Sequence, residues 1–477
     1  MKKILRPILC GGVLAALLCT PSLAAEQGDF SLLVNGEPVT FTDAAPVLKD
    51  GRSFLPAVTT FQALGFAQED IVWNGETQTV TASKDGTTIS LTVGDSAVTW
   101  TGPSWSQTSE DGTSGSAGGS GGIAYLDAAP YIDPATNRTY IPVGLVADIL
   151  GCRVAWDGAT STVIIDDVDA ILAENTETYE RMDQYLDYAR KYSQGNYQVE
   201  GSYLLTSAPG EMESGAEIIH TVGGGYSMVT NQTAMQFAVD MSIGGTIMGA
   251  PIAPTDMDLD MRADLDTGML YLYFQSEDLE QLMNNNVQVN GESVEFQIPD
   301  QWYSLDMKAV YDEAYGPGFY EELIALSTAS QEAAFAQTLE ELLKSDTLTL
   351  TSTATTSDYL EALNQLLGDS HFQKSGSTYT STLEQDGVTI LFHLYTSGGQ
   401  VNGYGMEMTA SETTGMEMTM TMEMKGDDMS LLMEMAGMTM EMDGTYRPSS
   451  TAPETEPPAG ATVVDLWELL TTPVSEL

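Results

Sequence analysis

The sequence predicts an α+β protein in two main parts: a duplicated module of hairpins and short helices, then a large antiparallel sheet domain with inserted helices. Three observations carry that prediction. DAAPVLKDGRSFLPAVTTFQALGFAQEDIVWNGETQTVTA, from Asp43, is echoed by DAAPYIDPATNRTYIPVGLVADILGCRVAWDGATSTVIID, from Asp127, and a unit used twice is one supersecondary fold repeated. Beyond residue 195 apolar side chains mostly recur at every second position, the period of a half-buried strand. After the repeats, helical spacing marks a long stretch from Val168 to about Gly195, and later Asp306 to Tyr315, Tyr320 to Lys344 and Tyr359 to Leu367.

Residues 1–25, MKKILRPILCGGVLAALLCTPSLAA, combine a basic start (Lys2, Lys3, Arg6), an apolar run from Ile8 to Leu18 and small residues at Ser22 and Ala24. This is the pattern of a secretory signal peptide cut after Ala24 or Ala25. The apolar run is shorter than a membrane span requires. Leucine precedes both Cys10 and Cys19, so neither fits a lipoprotein signal. Cleavage leaves Cys152 alone, with no internal disulfide to form, and its apolar surroundings read as a small buried side chain. The chain has 17 basic and 68 acidic residues, a net charge of -51. That balance argues against nucleic acid and anionic membrane surfaces as partners. No later stretch stays apolar for a membrane span, so the expected product is secreted and envelope-associated, without an integral membrane segment.

In each copy of the repeat a short extended piece reaches a proline, Pro56 or Pro142, that suits the first helical position because its missing N–H would be unpaired there. The helix carries apolar residues at helical spacing (Val58, Phe61 and Leu64; Leu145, Ile149 and Leu150), and Gly65 or Gly151 ends it in the left-handed conformation. Two hairpin strands follow, turning at Asn74-Gly75 and at Asp157-Gly158, dipeptides suited to tight turns. Trp73 and Trp156 occupy matching places there; a large aromatic on a hairpin beside a helix reads as core, with a polysaccharide platform as the alternative. Between the copies, TTISLTVGDSAVTW reads as a strand pair and the Gly/Ser-rich run 104–122 as a mobile surface loop.

VNGEPVTF, DAAP, a GR or NR-T step, "FLP" or "YIP", a helix ending LG, a Trp-containing hairpin and a closing TV strand recur in order in both copies. Residues 30–168 thereby resemble the copper amine oxidase N-terminal domain, or stalk domain. The resemblance implies a twisted antiparallel sheet around a helix, attached to an exported protein of a Gram-positive bacterium and serving as an envelope spacer or binding module. It implies no copper and no oxidation, because that chemistry belongs to a separate domain with three histidine ligands and a tyrosine-derived quinone. This chain has only His220, His371 and His393, and Gly195-Asn196-Tyr197-Gln198 lacks the acid of the quinone motif.

The second domain, 169–446, opens with the helix that carries Met182, Tyr185, Leu186 and Ala189 on one face. Strands follow, YQVEGSYLL, TAMQFAVDMSI, MDLDMRADLD and MLYLYFQ, then the helices, then STYTSTLEQDGVTILFHLY and a meander to Tyr446. In this order and in its WYSLDM stretch the domain resembles the half-barrel of bacterial lipoprotein-carrier proteins, which implies a concave face for acyl chains. Residues 447–460 read as a Pro-rich linker and 461–477 as a short C-terminal element that docks back.

Candidate chemistry is sparse. Asp256, Asp258 and Asp260 have a D-x-D-x-D spacing, but the sixth and twelfth positions of a calcium loop are Met261 and Thr267. The alternation of acids with Met257, Leu259, Met261, Ala263 and Leu265 reads instead as a half-buried strand with an acidic outer face. No histidine pattern suits zinc, and no nucleophile motif, phosphate loop or carboxylate pair stands out. The chain is therefore expected to be no enzyme and to carry no cofactor.

GMEMTMTMEMK, Gly415 to Lys425, is the most unusual stretch, and 13 of the 25 methionines lie between Met406 and Met442. On strands, Met416, Met418, Met420, Met422 and Met424 point one way, and Met433, Met435, Met438, Met440 and Met442 continue the pattern. Ala436-Gly437, where the parity changes, is either a tight turn or a bulge. Methionine adapts to varied apolar partners, so the face suits a core or a hydrophobic, lipid-like ligand. Its thioether also prefers soft ions such as Cu(I), a second alternative weakened by the absence of His or Cys from the window. The expected function is a secreted, non-enzymatic envelope protein whose β-rich domain binds or supports, with a cell-wall component or hydrophobic small molecule as partner.

Overall fold

A computed structural model describes residues 30–471, apart from 50, 103–105, 109–113, 117–120, 127, 143–149, 193–194, 208–209, 212–216, 287, 290–291, 294–296, 322, 325–332, 346–347, 386 and 411–417. The expected signal peptide, the expected second repeat helix and Met416 lie outside the described residues. The chain forms two units. The first holds the repeats up to Thr176 together with Glu340–Ala362; the second holds Glu177–Leu339 and the chain from Leu363.

In the first unit the two copies build on each other. Arg52–Pro56 pairs antiparallel with its counterpart Arg138–Pro142, at the centre of a four-stranded sheet edged by Val47–Lys49 and Tyr131–Asp133. The first copy's hairpin, Ile71–Asn74 with Thr79–Lys84, extends through Thr87–Thr92 and Ala97–Thr101 to Gly122–Tyr125. The second copy's hairpin, Arg153–Asp157 with Thr162–Asp166, takes the N-terminal strand Ser31–Val34 in parallel. Leu32, Leu55, Phe61, Ile89, Leu91, Ile141 and Ile165 form the buried core between these layers.

Four expectations need correction here. Pro56 is the N-cap of the Ala57–Ala63 helix rather than its first residue. Both hairpin turns are four residues long, because Asn74 pairs with Thr79 and Asp157 with Thr162. Their left-handed residues are Gln78 and Ser161, while the Asn74 and Asp157 side chains accept from following backbone amides. Within the run 104–122, Ser106–Thr108 and Ser114–Ser116 pair as a ribbon. Trp73 and Trp156 are 44% and 49% exposed: each sits on an edge strand with a neighbour on one side only, its indole beside the turn glycine, Gly75 or Gly158.

Glu340–Ala362 is fastened to the first unit by polar contacts that no sequence pattern advertises. The fully buried Asp166 carboxylate accepts from the Thr356 amide at 2.9 Å, and Asp157 from the Ser352 amide at 3.0 Å. Burial alone would raise the Asp157 carboxyl, but donors from Ser352, Thr160 and Ala159 outweigh it and hold the group well below the usual range.

The second unit is dominated by one sheet, whose strands we number β1 (Asn196–Thr206), β2 (Glu217–Thr230), β3 (Ala234–Ile247), β4 (Ala250–Asp264), β5 (Met269–Gln275), β6 (Trp302–Asp306), β7 (Gln373–Ser375), β8 (Thr378–Gln385), β9 (Val388–Ser397), β10 (Gln400–Ala410), β11 (Met418–Lys425), β12 (Asp428–Met435), β13 (Met438–Ser449) and β14 (Val463–Asp465). The spatial order is β7 through β13, then β1 through β6, then β14. Two meanders thus join edge to edge at β13–β1, which pair antiparallel from Asn196↔Ser449 to Thr206↔Thr439. Among the described strands of this sheet only β14 runs parallel to its neighbour.

The helix expected from Val168 onward is two, Val168–Glu174 and Glu180–Arg190. The second starts where the Asp369 carboxylate, from a distant loop, accepts the Glu180 and Arg181 amides at 2.7 and 3.1 Å. Residues beyond Ser449 are also no free linker. Arg262, on the acidic parity of β4, is 7% exposed because Glu454 pairs with it at 2.5 Å, Glu456 O accepts from it at 2.6 Å and Trp302 lies under its guanidinium.

Candidate functional site

Methionines fill one face of β10–β13 because the strands are joined in strict register. β11 and β12 turn through Gly426-Asp427, with Gly426 left-handed, and β12 and β13 through Ala436-Gly437, where both residues are left-handed. The parity change is therefore a two-residue turn, with Met435 opposite Met438. Directly opposed residues of adjacent strands share a face, so the pairings divide this face into rows.

The row nearest the Glu180–Arg190 helix runs Leu394, Tyr404, Met424, Met429, all at most 5% exposed. The next is Phe392, Met406, Met422, Leu431, Met442, buried at β9 and β10 and half-buried beyond. The third is Ile390, Met408, Met420, Met433, Met440, half-buried at every methionine. The last holds Ala410, Met418, Met435 and Met438, with Met438 39% exposed.

Tyrosines close the buried end. Tyr185 packs edge-on against Phe392 and Tyr404 with ring centres 6.0 and 5.0 Å away, and Tyr192 packs against Tyr446 at 5.0 Å. Tyr188 donates to Gly426 O at 2.7 Å, and Tyr192 donates to Asp427 at 2.9 Å, so the β11–β12 turn is anchored to the helix end. Burial pushes the Tyr188 and Tyr446 phenols up to about 12, so both stay neutral hydrogen-bonding groups at physiological pH. Sequence reading picked out only Tyr185; the spacing of Tyr185, Tyr188 and Tyr192, one helical face, was the available signal for the others.

The opposite face is polar. His393 Nδ1 lies 2.8 Å from Thr380 Oγ1 and its Nε2 3.4 Å from Glu407, while Tyr395 and Lys425 donate to Glu423 at 2.6 and 2.8 Å. Burial would raise the Glu423 carboxyl, but these two donors outweigh it and lower it. His393 is thus across the sheet from the methionines. His371 lies beside Glu177 at 3.8 Å, and His220 is exposed on β2. Among the described residues no group of three or more His, Cys, Asp or Glu side chains is placed to hold a metal ion.

The remaining candidates have structural settings. Pro56 and Pro142 are buried at strand ends, Gly65 adopts the left-handed conformation after the Ala57–Ala63 helix, and Gly151 is left-handed as well. Cys152 is buried, which pushes its thiol up to about 12. Asp256, Asp258 and Asp260 lie on β4, where Asp258 directly opposes Asp240 of β3. Among the described residues no helix is long and apolar enough to cross a membrane.

A two-unit α+β protein with paired repeats and a long antiparallel sheet is the class this architecture defines. Over residues 33–165 the chain matches the sequence model of the copper amine oxidase N-terminal domain family, the non-catalytic N-terminal part of those enzymes. The curated proteins contain no match to the chain. Among solved structures, a β-barrel-like protein of domain of unknown function DUF1849 from Brucella abortus is similar at 12% identity, with 55% of this chain and 98% of that one covered and a TM-score of 0.18.

Proposed function

We propose that this is an exported, non-catalytic binding protein of the cell envelope, in which the duplicated module is a spacer and the large sheet receives an apolar ligand. The observation that carries the reading is the change of burial along a face whose chemistry does not change. Leu394, Tyr404, Met424 and Met429 are sealed under the tyrosine helix, whereas Met420, Met433 and Met440, identical in polarity, remain half-buried. Apolar side chains kept partly in water each forgo part of the roughly 1.5–3 kcal/mol that full burial supplies. Contiguous arrangements of that kind mark binding surfaces, and methionine suits a guest of variable shape.

The test is a titration of the full chain with Nile red, a neutral probe that the acidic protein does not repel. Saturable binding is expected in the micromolar range. Met433→Glu, which places a charge in the third row, should weaken it tenfold or more, while Thr419→Glu on the polar face should not. No saturable binding, or equal effects of the two variants, overturns the reading. N-terminal sequencing of the protein recovered outside cells should begin at Ala25 or Glu26; an intact Met1 there would refute export by a cleaved signal.

A further inference from the structure

Apolarity does not explain why the rows are methionine. Strand positions favour β-branched and aromatic residues, and an ordered methionine loses more side-chain freedom than leucine or isoleucine. The same face accepts Leu431 and Leu205 without disruption of register. Yet Met408, Met420, Met433 and Met440 stand side by side on four successive strands, with further methionines in the rows on either side.

Directly opposed side chains have Cβ atoms about 4.5–5.5 Å apart, and each methionine has three rotatable bonds with which to bring its sulfur to a common point. Every donor is neutral, so the row packs without charge repulsion before an ion arrives. Thioethers select soft ions, while calcium, magnesium and zinc take oxygen, imidazole or thiolate. Glu423, Glu434 and Glu441 occupy the opposite parity on the same strands, and the net charge of -51 favours cations.

We infer that the row Met408, Met420, Met433 and Met440 is a binding site for a soft monovalent metal ion, Cu(I) or Ag(I), held by three thioethers at a time. Binding is ligation alone, with no change of oxidation state. The site shares a face with the proposed apolar ligand but uses sulfur, so leucine separates the two chemistries: Met→Leu keeps volume and polarity and removes the donor.

The experiment is an anaerobic titration of the full chain with Cu(I) in competition with bicinchoninate, with Ag(I) as an air-stable second probe and Zn(II) as control. Uptake of at least one Cu(I) per chain and no Zn(II) is expected. The double variant Met420→Leu/Met433→Leu should bind Cu(I) at least tenfold more weakly and still bind Nile red, whereas Met248→Leu, exposed in the turn between β3 and β4, should match the parent. Failure of the parent to take Cu(I) from bicinchoninate, or undiminished uptake by the double variant, overturns the inference. Loss of Nile red binding by the parent alone, with Cu(I) uptake intact, would instead remove the apolar-ligand reading and leave this one standing.

Discussion

Asp369→Ala should destabilise the second unit by about 2 kcal/mol. The Asp369 carboxylate accepts from Thr178 Oγ1 at 2.9 Å, the Glu180 amide at 2.7 Å, the Arg181 amide at 3.1 Å and Arg181 Nη1 at 2.8 Å. It therefore serves as the N-cap of the tyrosine helix, whose own preceding residue, Tyr179, provides no side-chain cap. Loss of a cap costs about 1 kcal/mol, and loss of the partly buried Arg181 pair, with side chains 30% and 12% exposed, about 1 kcal/mol more. For a unit of this size about 2 kcal/mol lowers Tm by roughly 4–8 °C. Asp369→Asn, which keeps an acceptor but not the charge, should fall between.

The carboxyl itself reports the same contacts. Burial would raise it, but the Arg181 and Glu180 amides, the Thr178 hydroxyl and the Arg181 side chain outweigh burial and lower it. Its contribution is thus complete above the unfolded value of about 3.9 and is lost as pH falls through the lower folded value. Thermal unfolding followed by the near-ultraviolet signal of the tyrosines should show the parent and Asp369→Ala converging as the pH drops below about 4. A melting temperature within 1 °C of the parent at pH 7, or a difference that persists undiminished at pH 2, would refute the trans-capping account.

Gly201 and Gly444 face each other across the β13–β1 seam beneath the ring of Tyr226. A Cβ at Gly201 would lie 1.9 Å from Asp443 O, and one at Gly444 2.2 Å from Tyr226 Oη. Gly201→Ala should therefore cost about 2–3 kcal/mol by forced displacement of backbone, read as a lowered urea midpoint; a neutral effect would mean that the strands part freely there. Cys152, buried with its thiol raised to about 12, should resist iodoacetamide at pH 8 in the folded protein and react once denatured, as scored by peptide mass mapping. Rapid native labelling would contradict its burial.

Local chemistry made much of this fold readable. The repeat, the alternating strands and the methionine face all follow from periods of two and 3.6 residues, and the structure keeps Met418 to Met442 on the surface that alternation assigns. What was not readable depends on partners distant in sequence. Trp73 and Trp156 looked like core because large aromatics are usually covered, yet their strands are sheet edges, a property of topology. Arg262 shared the parity of solvated aspartates but is buried by Glu454 and Glu456, which periodicity cannot place. The break before Glu180 has no proline or glycine to announce it; its cause is Asp369, from another loop. The burial gradient along the methionine rows likewise comes from a helix laid across one end of the strands.

The join between β13 and β1 also dictates when the protein can fold. Ser202 and Asp443, hydrogen-bonded across it, are 241 residues apart in the chain, so the pairing belongs to the slow, non-local class of contacts. Until the second meander is complete, β1 is a long edge strand with unpaired amides and carbonyls, open to pairing with another chain. The seam thus makes the last sheet strands the gatekeepers of folding, and a chain shortened before Met438 would leave the first meander with an aggregation-prone border.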